Sequence, residues 1–507
     1  MLIVLFLLGL IGQTFSQDFL VWTEPATLKV FKDSEPKLGK SRLILQSARN
    51  EYESGQIVIR AGANTLKISQ VECTPLNGPD KYLIPKENIS VRLVAYVLVR
   101  HENRFYPDPL PPFRPCEIKA GENQPLFITI YIPKDAKPGR YTGKITVKFE
   151  NGASVDIPIS LEVWDFTLPD KPSCETAFSI WDNSIWKFEE VQAGTPEGKA
   201  MFDKYYWCLV EHRISPMQIP VDVLSPEADK YIADERVTSF ALNYSDDVEE
   251  MRKRVEHLRK KGLLNKAYFY PLDEPVTKEQ YEELKRRVEK IKSIDPKLRI
   301  VSPFFRGPDF SNETAYEALD GIINIWCAVT SYFDPQKQLE KKLKGEFSWW
   351  YVCCGPGSPY ANFHITMDAI DHRILMWQQK KYQVDGLLYW GVNYWAGTPD
   401  PWEDMATVKD INPNLYGDGS LLYPGKKVGI DGPVSSLRLE MIRDSFEDYE
   451  YLTLLEKLAG QEAVERAIKE VVTDMTNFTK DPATLQKARA MIAKEIQTRM
   501  HSNFIGR

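Results

Sequence analysis

No Cys-x-x-Cys, His-x-His or His-Glu-x-x-His spacing occurs in this chain, and its six histidines (His101, His212, His257, His364, His372, His501) form no other ligand pair, which removes the common zinc sites. A Gly-x-Ser-x-Gly elbow is absent, and no cysteine stands in a recognisable nucleophile motif. Basic residues form no long run and the net charge is −7, so the clustered Lys/Arg footprint of a nucleic-acid binder is missing. After residue 16 nothing approaches the roughly 18 apolar residues of a membrane span, so no integral membrane segment is expected. The seven cysteines (73, 116, 174, 208, 327, 353, 354) are odd in number and irregularly spaced; at least one stays unpaired, and no disulfide framework follows.

What is present begins with a short apolar block, residues 2–11, followed by small residues at Thr14 and Ser16. That pattern predicts a signal peptide over 1–16, without the usual preceding Lys or Arg, and hence a secreted or lysosomal protein. Entry to that route makes Asn88, Asn243, Asn312 and Asn477, each in an Asn-x-Ser/Thr sequon, candidate glycosylation sites. The 507 residues suit two or three cores rather than one. Twelve Trp and 24 Tyr, many of them between 326 and 402, suit either a large core or a site that stacks flat apolar faces such as sugar rings.

Two periodicities divide the chain. Residues 17–168 read as short alternating runs between Pro and Gly turns (42–47, 55–61, 89–99, 126–132, 141–149, 155–163), which predicts an antiparallel β-sandwich with an accessory role. The turn chemistry of 133–139 suggests that its flanking strands pair as a hairpin. Over 169–458, eight apolar runs (177–181, 216–220, 239–242, 267–272, 299–302, 322–327, 348–352, 387–391) alternate with helical segments, the pattern of a (β/α)8 TIM-like barrel. Thr277 and Gln280 form a capping box ahead of an apolar stripe at Tyr281, Leu284, Val288 and Ile291, and Gly262 closes the helix before it. An open doubly wound sheet is the alternative; it usually shows a glycine-rich phosphate loop after its first strand, where this chain has Trp181-Asp182-Asn183-Ser184. A charged, helix-prone tail, 459–507, is expected to pack outside the barrel.

Barrel enzymes place their chemistry at the C-terminal ends of the strands. There the run 267–272 ends in Asp273-Glu274-Pro275, which delivers two acids together to the mouth. Each disfavours the other's ionisation, so one can stay protonated and act as an acid, the division of roles that glycoside cleavage requires. The bland alternative is a pair of solvated loop acids near a helix N-terminus. Candidate sugar-binding residues at the other strand ends are Trp181, Arg306, Trp326, Trp350, Tyr389, Trp390, Asn393 and Trp395. Strand alternation allows only about half of the aromatic set to face one pocket.

The segments Ala48–Gln56, Pro138–Gly143, Val163–Pro169, Asp273–Pro275, Tyr416–Gly419, Leu422–Gly425 and Arg438–Leu452 together resemble glycoside hydrolase family 123 over nearly the whole mature chain. The resemblance implies a β-sandwich followed by a catalytic barrel, and an exo-acting, retaining β-N-acetylgalactosaminidase that needs neither metal nor organic cofactor. It further implies substrate-assisted catalysis, in which the sugar's 2-acetamido oxygen attacks the anomeric carbon. Glu274 then protonates the leaving oxygen and later activates water, while Asp273 holds the acetamido N–H and steadies the oxazolinium. The expected partner is an oligosaccharide or glycosphingolipid glycan; the oligomeric state is left open. A β-N-acetylglucosaminidase or other hexosaminidase of the same mechanism, and a non-catalytic glycan-binding protein, are the alternatives.

Overall fold

Alternating apolar residues over the first third of the chain build two sheets that share one core. The structure is a computed structural model and describes residues 19–505 except 38 and 40, so the expected signal peptide lies outside the described residues. One sheet runs Phe19–Pro25, Glu51–Ala61, Asn123–Ile132, Ile89–Leu93, all antiparallel. The other carries Leu66–Cys73, Gly139–Phe149, Ser154–Thr167 and Leu43–Arg49, the last pair parallel. Ile57, Ile59, Leu126, Ile128 and Ile130 meet Tyr141, Ile145, Val147, Ile157 and Leu161 between them, the inward residues of each period-two run. The expected hairpin across 133–139 does not form. Its flanking strands lie in different sheets, one pairing with Glu51–Ala61 and the other with Ser154–Thr167, so this turn is a crossover between layers.

From residue 175 onward the strands are parallel and separated by helices. Glu175–Phe178, Gly386–Tyr389, Phe347–Val352 and Ile325–Val329 form one sheet in that order, and Phe240–Leu242 pairs with Ala267–Phe269 in a second. Six of the eight expected strands are therefore strands. The runs 216–220 and 299–302 make only isolated bridges, Phe178 to Pro216, Phe269 to Ile300 and Val301 to Ile325. Pro216 and Pro220 have no N–H to donate, and Pro303 ends the other run, which is why neither extends a ladder. The region is an α/β domain with an interrupted ladder. Helix signals are placed as expected: Lys278–Lys292 starts at the Thr277/Gln280 capping box, and Val248–Lys261 starts at Asp247 and ends at Gly262 with φ 71°.

The 459–507 segment is more than an outer tail. Its helix Pro482–Ile505 packs on both the helix Leu437–Ala459 and the sandwich strand Ser154–Thr167, and so joins the two domains. Among the described residues no helix is long and apolar enough to cross a membrane.

Candidate active site

Strand alternation decides which side chains reach the centre of the α/β domain. Ala177, Met217, Tyr268, Val301, Cys327, Trp349, Tyr351 and Leu388 form one interior cluster, with Ala241 and Tyr270 packed against it. Their neighbours in sequence, Phe178, Phe269, Trp326, Trp350 and Tyr389, belong to the layer between strands and helices. Above the interior cluster, at the C-terminal strand ends, a cleft of about 1210 Å³ opens between Trp181, Gln218, Asn243, Tyr244 and Tyr270.

Asp273 and Glu274 stand on the loop between Ala267–Phe269 and the Lys278–Lys292 helix. That loop is held from several sides: Ser302 Oγ donates to Leu272 O at 2.8 Å, Arg287 Nη1 to Pro271 O at 2.5 Å, and the Val276 and Thr277 N–H groups both donate to Gln280 Oε1 at 2.9 Å. Glu274 is held at φ 41°, a left-handed conformation that a residue with a Cβ adopts only when its surroundings impose it. The Tyr270 hydroxyl donates to Asp273 Oδ1 at 2.5 Å, and the Tyr351 hydroxyl donates to Glu274 Oε1. Neither acid forms an ion pair among the described residues.

The two acids differ in environment. Asp273 is exposed, whereas Glu274 is half-buried. Burial pushes the Glu274 carboxyl above its ordinary value; the Tyr351 hydrogen bond opposes this, and the charge of Asp273 adds to it. The Tyr351 hydroxyl is itself driven far up by burial and by Glu274, so it remains a proton donor in the pair.

The other predicted residues separate into two groups. Trp181 is 39% exposed and lines the cleft; its ring stands edge-on to Trp390 and Tyr394, with centroids 6.1 and 4.9 Å away. Trp181 and Trp390 thus make an aromatic wall. Trp326, Trp350 and Trp395 cannot stack on a ligand, because each is fully buried. Trp326 lies against Tyr316 and donates to Glu346 at 2.7 Å, Trp350 donates to Gln379 at 3.0 Å, and Trp395 donates to Leu422 O at 3.2 Å. Tyr389 is also buried, and its hydroxyl is spent on Asp418 and the Gly419 N–H. Asn393 uses both ends of its amide on the Trp181 backbone, at 2.8 and 2.9 Å, so it positions Trp181 rather than a sugar. Arg306 is exposed and pairs with Asp309 at 2.8 Å. Alternation limits how many aromatics face one pocket but not which parity does, so the predicted set omits Tyr270 and Tyr351, the two side chains that hold the acids. Parity carries the missing signal, since Tyr351 shares a face with Trp349 and not with Trp350.

Of the sequons, Asn243, Asn312 and Asn477 are exposed. Asn88 is half-buried with its amide donated to Tyr131 O at 3.2 Å, and Asn243 lines the cleft, where a glycan would fill part of that space. All seven cysteines are free; Cys353 and Cys354 stand with sulfurs 3.8 Å apart at the mouth. No group of three or more His, Cys, Asp or Glu among the described residues is arranged to hold a metal ion.

Residues 187–455 match the glycoside hydrolase 123 catalytic domain, and residues 29–149 match the glycoside hydrolase 123 N-terminal domain. The chain belongs to glycoside hydrolase family 123. Its fold is similar to that of a family 123 glycoside hydrolase from Clostridium perfringens, studied for glycolipid glycan hydrolysis: TM-score 0.72, 16% identity, covering 96% of this chain and 98% of that one. A Bacteroides ovatus GH5 xyloglucanase aligns over 82% of this chain and 99% of its own, but with a TM-score of 0.26 and 8% identity. No curated protein sequence matches the chain. As a family 123 member the protein is a glycosidase, and its sandwich and α/β domain correspond to the two matched regions.

Proposed function

We propose that this glycosidase removes terminal β-N-acetylgalactosamine from glycolipid or oligosaccharide glycans, with retention, by substrate-assisted catalysis at Asp273 and Glu274. The observation that carries the reading is the asymmetry of the acid pair: one half-buried with its proton affinity raised, one exposed, each held by a tyrosine hydroxyl. A general acid needs the first environment. Glu274 gives its proton to the glycosidic oxygen as the acetamido carbonyl oxygen bonds to the anomeric carbon and the aglycone leaves. Asp273 accepts the acetamido N–H and balances the positive charge of the oxazolinium. Glu274, now a carboxylate, takes a proton from the water that opens this ring, and the two displacements leave the configuration unchanged. With the nucleophile supplied by the sugar, a second carboxylate across the ring is unnecessary.

The eight runs that feed one interior cluster support a (β/α)8 barrel as the working frame. The apolar block at residues 2–11 supports a secreted or lysosomal setting.

The test is hydrolysis of aryl β-GalNAc, aryl β-GlcNAc and the aryl β-galactoside that bears a 2-hydroxyl. Turnover of the GalNAc substrate with little cleavage of the 2-hydroxyl sugar is expected; equal turnover of both defeats the substrate-assisted step. Faster turnover of the GlcNAc substrate assigns the same mechanism to the other sugar. Binding without turnover of any acetamido sugar would make the chain a glycan-binding protein.

A further inference from the structure

The Tyr416–Gly419 segment places beside Trp390 a carboxylate that the acid pair does not use. Asp418 is 1% exposed, yet it forms no ion pair among the described residues. Its Oδ1 accepts the Trp390 indole N–H at 3.1 Å and the Tyr389 hydroxyl at 3.3 Å, and no side chain among the described residues donates to Oδ2. The flanking glycines are both left-handed, at φ 82° for Gly417 and 67° for Gly419. A Cβ on Gly417 would stand 2.7 Å from Arg438 Nη1, and one on Gly419 would enter the Trp390 ring. The segment is therefore folded tightly against Trp390, which bonds this carboxylate and whose ring meets Trp181 and Tyr394.

Anchoring Trp390 does not by itself require a charge. A neutral amide would accept the same indole N–H, without the cost of burying an acid that lacks a cation. Asp108 shows the structural alternative in the same molecule: it is fully buried and bridged by Arg438 through two bonds of 2.9 Å. Burial raises the Asp418 carboxyl to about 6 against the pull of Trp390, Tyr389, the Gly419 N–H and Arg438. The charges of Asp418 and of Glu274 both act on the thiol of Cys354, which puts the two acids in the same neighbourhood.

We propose that Asp418 is a specificity-determining residue whose Oδ2 accepts a hydrogen bond from a hydroxyl of the terminal sugar while Trp390 and Trp181 cover the ring's apolar face. This rests on the reading of Asp273 and Glu274 as the reacting pair. A carboxylate that receives a sugar hydroxyl makes a charge-assisted bond, and a site built for a hydroxyl rejects the analogue that lacks it.

The experiment compares kcat/KM of wild type and D418N on the aryl N-acetylhexosaminide that the wild type cleaves best and on its 3-, 4- and 6-deoxy analogues. The wild type is expected to lose about 10- to 100-fold on one deoxy analogue. In D418N that discrimination shrinks towards one, while the ratios at the other two positions stay as they were. D418E, which keeps the charge but advances the carboxyl by one methylene, is expected to lose discrimination at the same position, and it serves if D418N does not fold. A uniform loss on all four substrates makes Asp418 an anchor for Trp390 only and overturns the proposal. Unchanged ratios in both variants do the same. Failure of the wild type to cleave any acetamido sugar instead removes the reading of the acid pair, and this proposal with it.

Discussion

Acids gather in two places in this molecule, the cleft mouth and the seam between the domains, and they are treated in opposite ways. At the seam Glu51, Glu53, Glu440, Asp444, Glu447 and Asp448 face Arg92, His212, Arg213, Arg373, Arg443 and Arg489, all well buried. Arg489 alone reaches Glu51, Glu53 and Asp448, the last two at 2.8 and 2.6 Å, and Arg373 grips Asp448 at 2.7 and 2.8 Å. At the mouth Asp273 and Glu274 receive only tyrosine hydroxyls. A buried carboxylate beside guanidinium groups is committed to holding elements together. Burial raises the carboxyls of Glu53, Asp444 and Glu447 as it does that of Glu274, so the distinction lies in partner and access. Only the acid beside a neutral hydroxyl on a half-open loop has a proton it can hand to a ligand. The comparison separates structural from chemical acids without regard to burial alone.

The largest effect that would break this comparison is at the mouth. Glu274→Gln is expected to lower kcat/KM about 10²- to 10⁴-fold on aryl substrates without destabilising the fold. A variant that lost activity through unfolding would move Glu274 into the structural class. At the seam, Arg489→Met is expected to cost about 3–5 kcal/mol, read from urea unfolding, because it leaves Glu51 and Glu53 buried without their cation. Activity per folded molecule should survive. A loss below about 1 kcal/mol would show that the seam's charges matter less than their geometry suggests.

The sequence reveals the seam's parts but not its assembly. Ala48–Gln56 and Arg438–Leu452 stand out as family-like segments with no evident chemistry; in the fold they meet, with Tyr451 donating to Glu51 at 2.7 Å and Glu447 accepting the Tyr52 N–H at 3.1 Å. Pairings across about 400 positions leave no local trace, and a helix such as Leu437–Ala459, charged on several faces, resembles a solvated one until its partners are placed. Local rules fared better. The Thr277 capping box, the Gly262 stop and the exit of Asp273-Glu274 from a buried strand depend on neighbours in sequence and are legible there. The aromatic wall was legible only in part. Trp181 and Trp390 were visible as strand-end aromatics, but choosing Tyr351 over Trp350 requires knowing which parity faces inward, and one tertiary contact, Tyr351 to Glu274, supplies it.

The two regions should also lose stability in the same direction as pH rises, but through opposite charge states and in different windows. Burial works to lower the His212 pKa, but the charge of Glu440 and the bonds to Cys208 and Glu440 outweigh it and raise the value to about 10. A folded-state pKa above the unfolded one means that the stabilisation is complete below about 6.5 and is lost as pH rises towards 10. His212→Gln is therefore expected to cost about 1.5–3 kcal/mol at pH 6, and the gap to wild type should close by pH 10; a gap that stays constant would mean that His212 is held neutral. Glu274 also has a raised pKa, but there the favoured form is the neutral one. Its ionisation, complete in the unfolded chain above about 4.3, works against the folded state. Glu274→Gln should then unfold at a slightly higher temperature than wild type at pH 7, with the advantage gone at pH 3, where both side chains are neutral. A variant less stable than wild type at pH 7 would mean that the mouth stabilises its carboxylate as the seam does, and the distinction between the two sets of acids would fail at the residue on which the chemistry depends.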